Sequence, residues 1–93
     1  MTSAKTLLSP LKVDLGISTT AYDERLTAYL QNAQAEIKRE GITLGNSLND
    51  NQLTIMYAAW TWRRRDSGEG MPRMLRYALN NKLFEQKMGD SGG

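Results

Sequence analysis

The 93-residue chain contains no cysteine and no histidine, and it has only two prolines and one phenylalanine. Without cysteine the chain can form no disulfide. Without either residue type it cannot build a Cys/His zinc site or a Ser-His-Asp or Cys-His catalytic centre. It also lacks the side chain that most often serves as a general base near neutral pH. We therefore expect the protein not to be an enzyme, with no catalytic residues, no cofactor, no bound metal and no small-molecule ligand.

Long apolar runs are also absent. The sequence has no stretch of about 18 apolar residues, so no transmembrane helix and no membrane partner are expected. Residues 1–16 have only a scattered apolar pattern and include Asp14, which makes a poor signal peptide. The length predicts one helical domain, residues 1–93, whose core is only marginally sufficient, and oligomerisation commonly supplements a core of this size.

Positive charge is unevenly distributed along the chain. Residues 1–50 carry five Lys and Arg against six Asp and Glu, whereas residues 51–93 carry seven against four. The net charge is therefore −1 in the first part and +3 in the second. The basic bias of the whole chain belongs to its second half.

The spacing of apolar residues predicts an all-α fold, a small bundle of about four helices. Its strongest helix is the second, because apolar residues recur there at helical spacing while polar residues lie off the stripe. The predicted helices span roughly residues 7–15, 20–40, 50–66 and 72–88. Gly89 is expected to end the last helix and to leave residues 89–93 as a disordered tail.

Capping residues predict where these helices begin and end. Ser9 is a candidate cap with Pro10 at the first helical position, and residues 5–8 could add a turn before a kink at the proline. Gly16 is expected to end the first helix in the left-handed conformation. The other predicted boundary residues are Thr19 or Thr20, Gly41, Asn49 or Asp50, and Pro72.

The third predicted helix carries two adjacent apolar stripes, so both faces must be buried and we predict it to be the central helix. The polar loop before it, residues 41–49, contains Ile42 and Leu44, which either tuck onto the bundle or form a short extended piece. The predicted core consists of Leu26, Leu30, Ala33, Ile37, Leu53, Met56, Tyr57, Trp60, Leu75 and Leu79.

Residues 60–65 read WTWRRR and combine two tryptophans with three consecutive arginines. Successive helical residues are about 100° apart, so the arginines cannot all face one row of phosphates. The plainest interpretation is a helix that ends in cations favoured by its dipole, with at least one arginine paired to a carboxylate. A subunit contact comes second, because Trp and Arg are enriched at interface hot spots. Direct base readout comes last, because the following helix is largely apolar.

Trp60 and Trp62 lie two positions apart and point to different sides of the helix. The plainest interpretation makes both of them large core anchors, and the alternative is that one packs in the core while the other meets a partner. We predict Trp60 to pack in the core on the second helix and name Trp62 as a candidate for the subunit interface or DNA channel. Neither the carboxylates nor the SGEG turn forms a convincing catalytic or phosphate-binding motif. The candidate residues for a subunit interface or a DNA channel are Trp62, Arg63, Arg64, Arg65, Arg73 and Arg76.

Two motifs and their order give a resemblance to a known family. The first is a short helix ending in DLGI, and the second is T-x-x-x-D-x-x-L opening a long helix, here Thr19 to Leu26. Together with the later stretch DNQLTIMYAAWTWRRRDSGEGMPRMLRYALNN, residues 7–88 resemble head–tail connector proteins of long-tailed double-stranded DNA phages. Within this family, the second half of the chain is most similar to the connector proteins found in phages and prophages of Gram-positive bacteria. These proteins are also called adaptor or head-completion proteins.

The resemblance implies a structural virion protein that is α-helical and not catalytic. Such proteins form a homo-oligomeric ring of about a dozen copies, which docks under the portal protein, extends the DNA channel and meets a tail-completion or stopper protein. Double-stranded DNA is contacted non-specifically. The implied location is the head–tail interface of the virion, and the host cytoplasm during assembly. Members often grip the portal with a longer loop, whereas this chain offers only residues 41–49 and the end after Met88.

Two other interpretations stay open. The chain could be a small basic DNA-binding regulator, which should bind a specific duplex sequence with an affinity that collapses with added salt. It could also be an interaction domain of a larger host complex. A connector, by contrast, should bind DNA weakly or not at all as a monomer, and portal or tail-completion proteins should retain it.

Overall fold

The structure, a computed structural model, describes residues 1–91, which form four α-helices and no β-strand. The predicted all-α bundle is therefore confirmed. None of the helices in this described part is long and apolar enough to cross a membrane. The helices are α1 (Ala4–Leu15), α2 (Asp23–Arg39), α3 (Leu48–Ser67) and α4 (Arg73–Ser91).

Helix α1 begins at Ala4 and contains Pro10 in its interior, so the predicted start at Ser9 is wrong, whereas the additional turn over residues 5–8 is confirmed. An interior proline lacks the N–H that would bond the carbonyl four residues back, and it costs a helix about 3 kcal/mol. Burial of Leu7 and Leu11 on either side of the proline offsets that cost and lets the helix continue. Gly16 then ends α1 with a left-handed φ of 70°, as predicted.

Helix α2 begins at Asp23, later than the predicted start at residue 20. The Thr19 hydroxyl accepts a hydrogen bond from the Ala21 N–H at 3.2 Å, so Thr19 orders the turn before the helix and does not cap it. Two carboxylates occupy the first turn of α2, where the helix dipole favours negative charge.

Helix α3 begins at Leu48 and is capped by Ser47, so the predicted cap at Asn49 or Asp50 is wrong. The Ser47 hydroxyl accepts a hydrogen bond from the Asp50 N–H at 3.1 Å, and the Asp50 carboxylate accepts one from the Gly45 N–H at 2.6 Å. This arrangement resembles a capping box, in which two side chains satisfy N–H groups at the start of a helix. It fixes the end of the preceding loop against α3.

Helix α3 is the central helix, as predicted, because it packs against α1, α2 and α4. The buried apolar side chains form one cluster around it. Of the predicted core, the structure buries Leu26, Leu30, Ala33, Ile37, Leu53, Tyr57, Leu75 and Leu79. The other buried apolar residues are Ala4, Leu7, Leu11, Ile42, Leu44, Ala58, Ala59 and Trp62.

Two residues assigned to the core from the sequence do not lie in it. Met56 is 39% exposed, and Trp60 is only partly buried. The buried face of α3 runs through Tyr57, Ala58 and Trp62, so Met56 and Trp60 are turned toward α4 and the solvent. The error arose because α3 has two adjacent apolar stripes, and periodicity alone does not say which stripe meets the long helix.

The loop between α2 and α3 is tucked onto the bundle, with Ile42 and Leu44 both buried. Of the two predicted alternatives for this loop, the tucked conformation is therefore the observed one. Gln86 of α4 holds the loop backbone. Its side-chain oxygen accepts a hydrogen bond from the Thr43 N–H at 2.7 Å, and its side-chain nitrogen donates one to the Gly41 carbonyl at 2.8 Å.

Helix α4 begins directly after Pro72 and runs through Gly89 to Ser91, so the predicted stop at Gly89 is wrong. The Pro72 carbonyl accepts a hydrogen bond from the Arg76 N–H at 3.1 Å, which places the proline at the entry of the helix. Residues 92 and 93 of the predicted tail lie outside the described residues.

Candidate assembly surface

Trp62 packs inside the chain and is only 6% exposed, so the prediction that it meets a partner is wrong. Its ring makes edge-on contacts with Tyr22 and Tyr29, with centroids 5.6 and 5.4 Å away. The Arg65 guanidinium lies over the indole, 3.7 Å from its centroid, and donates a hydrogen bond to the Trp62 carbonyl. Trp62 therefore anchors the end of α3 to α2.

Trp60 faces the other way. Its indole N–H donates a hydrogen bond to the Gly70 carbonyl at 3.1 Å, and its ring meets Tyr57 edge-on at 5.4 Å. The Arg64 guanidinium lies 4.5 Å from the centroid of the indole. Trp60 therefore ties the end of α3 to the segment that leads into α4, and not to α2 as the sequence had indicated.

Arg63 joins α3 to the end of α1. Its guanidinium lies 3.6 Å from the Asp14 carboxylate and donates a hydrogen bond to the Asp14 carbonyl at 3.3 Å. This is the carboxylate pairing expected of a helix that ends in cations. Both side chains are about half exposed, so the pair is expected to contribute only about 0–1 kcal/mol.

Arg63 therefore reaches α1, whereas Arg64 and Arg65 lie over Trp60 and Trp62 of α3 itself. The divergence follows from their 100° separation on the helix. All three remain exposed at the C-terminal end of α3, where the helix dipole favours positive charge. We call this group the arginine end of α3. It presents positive charge in several directions and not as one row.

The two predicted arginines of α4 have different environments. The guanidinium of Arg76 lies 2.8 and 3.5 Å from the two oxygens of the Glu40 carboxylate, and this pair links α4 to the residue after α2. Arg73 is exposed at the first residue of α4, and within the described chain it forms no ion pair. Arg76 thus has a structural partner, whereas Arg73 is accessible.

An open, largely apolar surface surrounds Met56 on the exposed side of α3. A groove of about 330 Å³ between α3 and α4 is lined mainly by apolar residues, among them Met56, Trp60 and Met74, and by three charged residues, Arg63, Asp14 and Glu69. A second groove, of about 190 Å³, lies between α1 and α3, and Ile55 and Met56 line it. We call this the Met56 surface. Because Arg63 lines its larger groove, the surface adjoins the arginine end of α3.

The Asp50–Lys82 pair was not predicted. The Lys82 ammonium lies 2.8 Å from the Asp50 carboxylate, which is almost fully buried, and so connects α4 to the start of α3. Burial alone would raise the pKa of Asp50, but Lys82 and the Gly45 N–H outweigh burial, and the pKa of Asp50 is lowered from its usual value. The spacing of Ser47 and Asp50 as S-x-x-D was the available signal for this role.

Tyr57 is a second group in the described chain whose pKa is shifted. Burial, followed by the carboxylates of Glu36 and Glu40, raises the pKa of the Tyr57 hydroxyl, which is enclosed in the core. In the described part of the chain, no group of three or more Asp and Glu residues is placed to hold a metal ion. The distinctive chemistry of the molecule is thus an apolar surface beside exposed arginines.

No family model, no curated protein and no solved structure matches this chain. What this surface does is therefore inferred from its own chemistry and from the motifs in the sequence.

Proposed function

We propose that this protein is a structural virion protein, a head–tail connector whose copies form a ring between the portal and the tail and extend the DNA channel. The observation that best supports this is the adjacency of an apolar groove and exposed arginines on one central helix. Met56, Trp60 and Arg63 line the same groove. Such a surface suits a protein contact beside a polyanion, and the order of the motifs in residues 7–88 resembles that of connector proteins.

In the proposed ring, each copy presents its Met56 surface to the next copy. A head-to-tail contact of this kind closes into a ring and leaves no free apolar edge. The contact would cover Met56 and the exposed part of Trp60, which the chain itself leaves open. Each contact is allowed to be weak, because a ring assembled on the portal gains affinity from multivalency. The tail-completion or stopper protein then binds the opposite rim.

The arginine end of α3 and Arg73 are the proposed residues for the channel wall or its border with the subunit contact. A channel wall touches many phosphates without reading sequence, so diverging arginines suit it better than a single row would. Trp62 is excluded from this role because it is buried, whereas Arg76, which is partly exposed and paired with Glu40, stays a candidate.

The proposal is tested by negative-stain imaging of the protein mixed with the portal protein of the same phage or prophage. We expect a ring of copies beneath the portal. In a variant with Arg63→Gln, Arg64→Gln and Arg65→Gln, loss of the ring would assign these arginines to the subunit contact. Intact rings whose particles lose or fail to pass DNA would assign them to the channel. Monomers alone, with portal present at every salt and protein concentration tried, would contradict the connector function.

A matched control removes the same charge elsewhere. Lys5, Arg25 and Lys38 are exposed residues on α1 and α2, away from the Met56 surface. Their replacement by glutamine should leave ring formation unchanged. Circular dichroism and melting curves of both triple variants establish that each one is folded before it is imaged.

The alternative function is a small basic DNA-binding regulator. A helix-turn-helix protein of that kind presents an exposed polar recognition helix to the major groove. Helix α4, which follows the arginine end, instead exposes Met74, Tyr77 and Phe84. Preference for one duplex sequence over random DNA by a factor of about 10³ or more would favour the regulator over the connector.

A further inference from the structure

Helix α4 has a second apolar face that the chain does not cover. Met74 is 73% exposed, Tyr77 54% and Phe84 64%, and Asn81 lies exposed among them. The opposite face of the same helix packs into the bundle through Leu75, Leu79 and Leu83. Helix α4 therefore has two apolar faces, and only one of them is buried within the chain.

The exposed face follows a heptad spacing. Steps of three and four residues alternate along it, which is the spacing of the a and d positions that face a partner helix in a coiled coil. The seam covers about two heptads, or roughly 20 Å of helix. The residues of this seam are Met74 (a), Tyr77 (d), Asn81 (a), Phe84 (d) and Met88 (a).

Two heptads are too short for an isolated peptide to form a stable coiled coil, because helix nucleation is unfavourable. Nucleation does not limit pairing here, because α4 is already held as a helix by its packing on α3 and by the Gln86 and Lys82 contacts. The buried residues Leu75, Leu79 and Leu83 occupy b, f and c positions, which face away from a coiled-coil seam. The side of α4 that packs on the bundle therefore faces away from the seam, while Ala78 and Glu85 at the e positions border α3.

Charge and the central asparagine select the orientation of such a pair. An antiparallel pair would bring g positions together and set Arg73 against Lys87 of the other copy, which is repulsive. A parallel pair brings Asn80 at g toward Glu85 at e of the other copy and removes that repulsion. It also places Asn81 opposite its own copy, an arrangement by which a single asparagine at an a position fixes register.

We propose that α4 pairs in parallel with α4 of a second copy of this chain through the seam of Met74, Tyr77, Asn81 and Phe84. The contact is two-fold, with the same patch on both copies, so it makes a closed dimer. It shares Met74 with the Met56 surface but is otherwise formed by residues outside the head-to-tail contact of the ring, and it does not rest on the proposed function.

Sedimentation equilibrium of the full chain tests the pairing. We expect a concentration-dependent dimer, and Phe84→Glu should raise its dissociation constant by at least about tenfold by placing a charge in the seam. The matched control is Val13→Glu on α1, which alters an equally exposed apolar residue outside the seam and should leave the constant unchanged. A wild-type chain that stays monomeric up to its solubility limit would overturn the proposal. Oligomers that Phe84→Glu does not weaken would also overturn it.

Cysteine cross-linking tests the orientation, and the chain has no cysteine of its own to interfere. In a parallel pair, Asn81→Cys and Met74→Cys should each form disulfide-linked homodimers under mild oxidation, whereas Lys5→Cys on α1 should not. Cross-links that appear only when Met74→Cys is mixed with Phe84→Cys would show an antiparallel pair and overturn the proposal.

The outcomes also separate the pair from the ring. A ring on the portal, formed by a chain that is monomeric in solution, overturns the α4 pair and leaves the ring intact. A dimer in solution that weakens with Phe84→Glu supports the pair, even where no ring forms on the portal and the connector function fails.

Discussion

Helices α1, α2 and α3 form a three-helix body, and this body buries its apolar residues more completely than α4 does. In the body, Leu11, Leu26, Leu30 and Ile37 are completely or almost completely removed from solvent, and each belongs to a helix with two helical neighbours. Helix α4 contributes two fully buried leucines and leaves its other apolar face in solvent. The exposed apolar side chains of the molecule therefore lie mainly on one face of α4 and on the adjoining Met56 surface. These are the parts of the chain available to another molecule.

Polar contacts fasten α4 where apolar contacts are few. Gln86 bonds the loop backbone, Lys82 pairs with Asp50, and Arg76 pairs with Glu40. The contacts of Gln86 and Arg76 are partly solvated, so each contributes only about 0.5–1.5 kcal/mol net. We therefore expect α4 to open locally at a lower free energy than the body.

The largest expected effect separates the two tryptophans. Trp62→Ala should lower the free energy of unfolding by about 3–5 kcal/mol, because it empties a buried site between α3 and α2. Trp60→Ala should cost only about 1–2 kcal/mol, since Trp60 is partly exposed on the α4 side. Urea unfolding followed by far-UV circular dichroism measures both changes. A Trp60 variant less stable than the Trp62 variant would contradict the observed division between body and surface.

The next effect compares the two faces of α4. Leu79→Ala should cost about 2–5 kcal/mol, because Leu79 is buried against the body. Met74→Ala, on the exposed face, should change stability by no more than about 0.5 kcal/mol. Thermal unfolding at a concentration low enough to exclude oligomers provides the comparison. Equal losses for both variants would mean that the two faces of α4 are not distinct.

A smaller effect concerns the fastening of α4 to the loop. Gln86→Ala removes two hydrogen bonds to the loop backbone and should cost about 1–2 kcal/mol, because the partners can regain water. The control is Asn80→Ala on the exposed face of the same helix, which should be nearly neutral. Melting temperatures rank the two variants. No difference between them would show that the polar contacts do not hold α4.

The sequence predicted most of the buried residues of the three-helix body correctly, but it did not predict which residues of α3 face α4 and the solvent. The spacing of Leu26, Leu30 and Ile37 sufficed for α2, because one apolar stripe on a helix has one possible orientation toward the core. On α3 the two adjacent apolar stripes did not show which tryptophan faces α2. The contacts of Trp62 with Tyr22, just before α2, and with Tyr29 of α2 distinguish the two. Local signals also lose to packing where they compete.

Pro10 is an example of that competition. Proline usually favours the start of a helix, yet α1 runs through Pro10, with Leu7 and Leu11 buried on either side. Helix α4 also runs through Gly89, and nothing in the structure explains why it does not end there. The candidate site was also predicted only in part. Arg63–Arg65 lie exposed together at the end of α3, whereas the Arg76–Glu40 pair needed the positions of two distant helices to be known.

The smallest expected effect is the pH dependence of the α4 contacts. Because the pKa of Asp50 is lowered in the folded chain, its ionised form stabilises the fold above the unfolded-state pKa of about 3.9. That contribution is lost as the pH falls through the lower folded-state pKa. Stability should therefore decline below about pH 4, and Asp50→Asn should flatten the decline. A carboxylate control, Glu69→Gln at an exposed site, should leave the profile unchanged.

Native-state hydrogen exchange, measured for each helix separately, tests most directly whether α4 opens at a lower free energy than the three-helix body. In the free monomer, amides of α1, α2 and the middle of α3 should exchange only through global unfolding. Those of α4 should exchange through a local opening of lower free energy. Adding the portal protein should slow exchange in α4 and at the arginine end of α3. Equal protection of all four helices in the free chain, unchanged by the portal, would contradict both the division of the molecule and the proposed assembly surface.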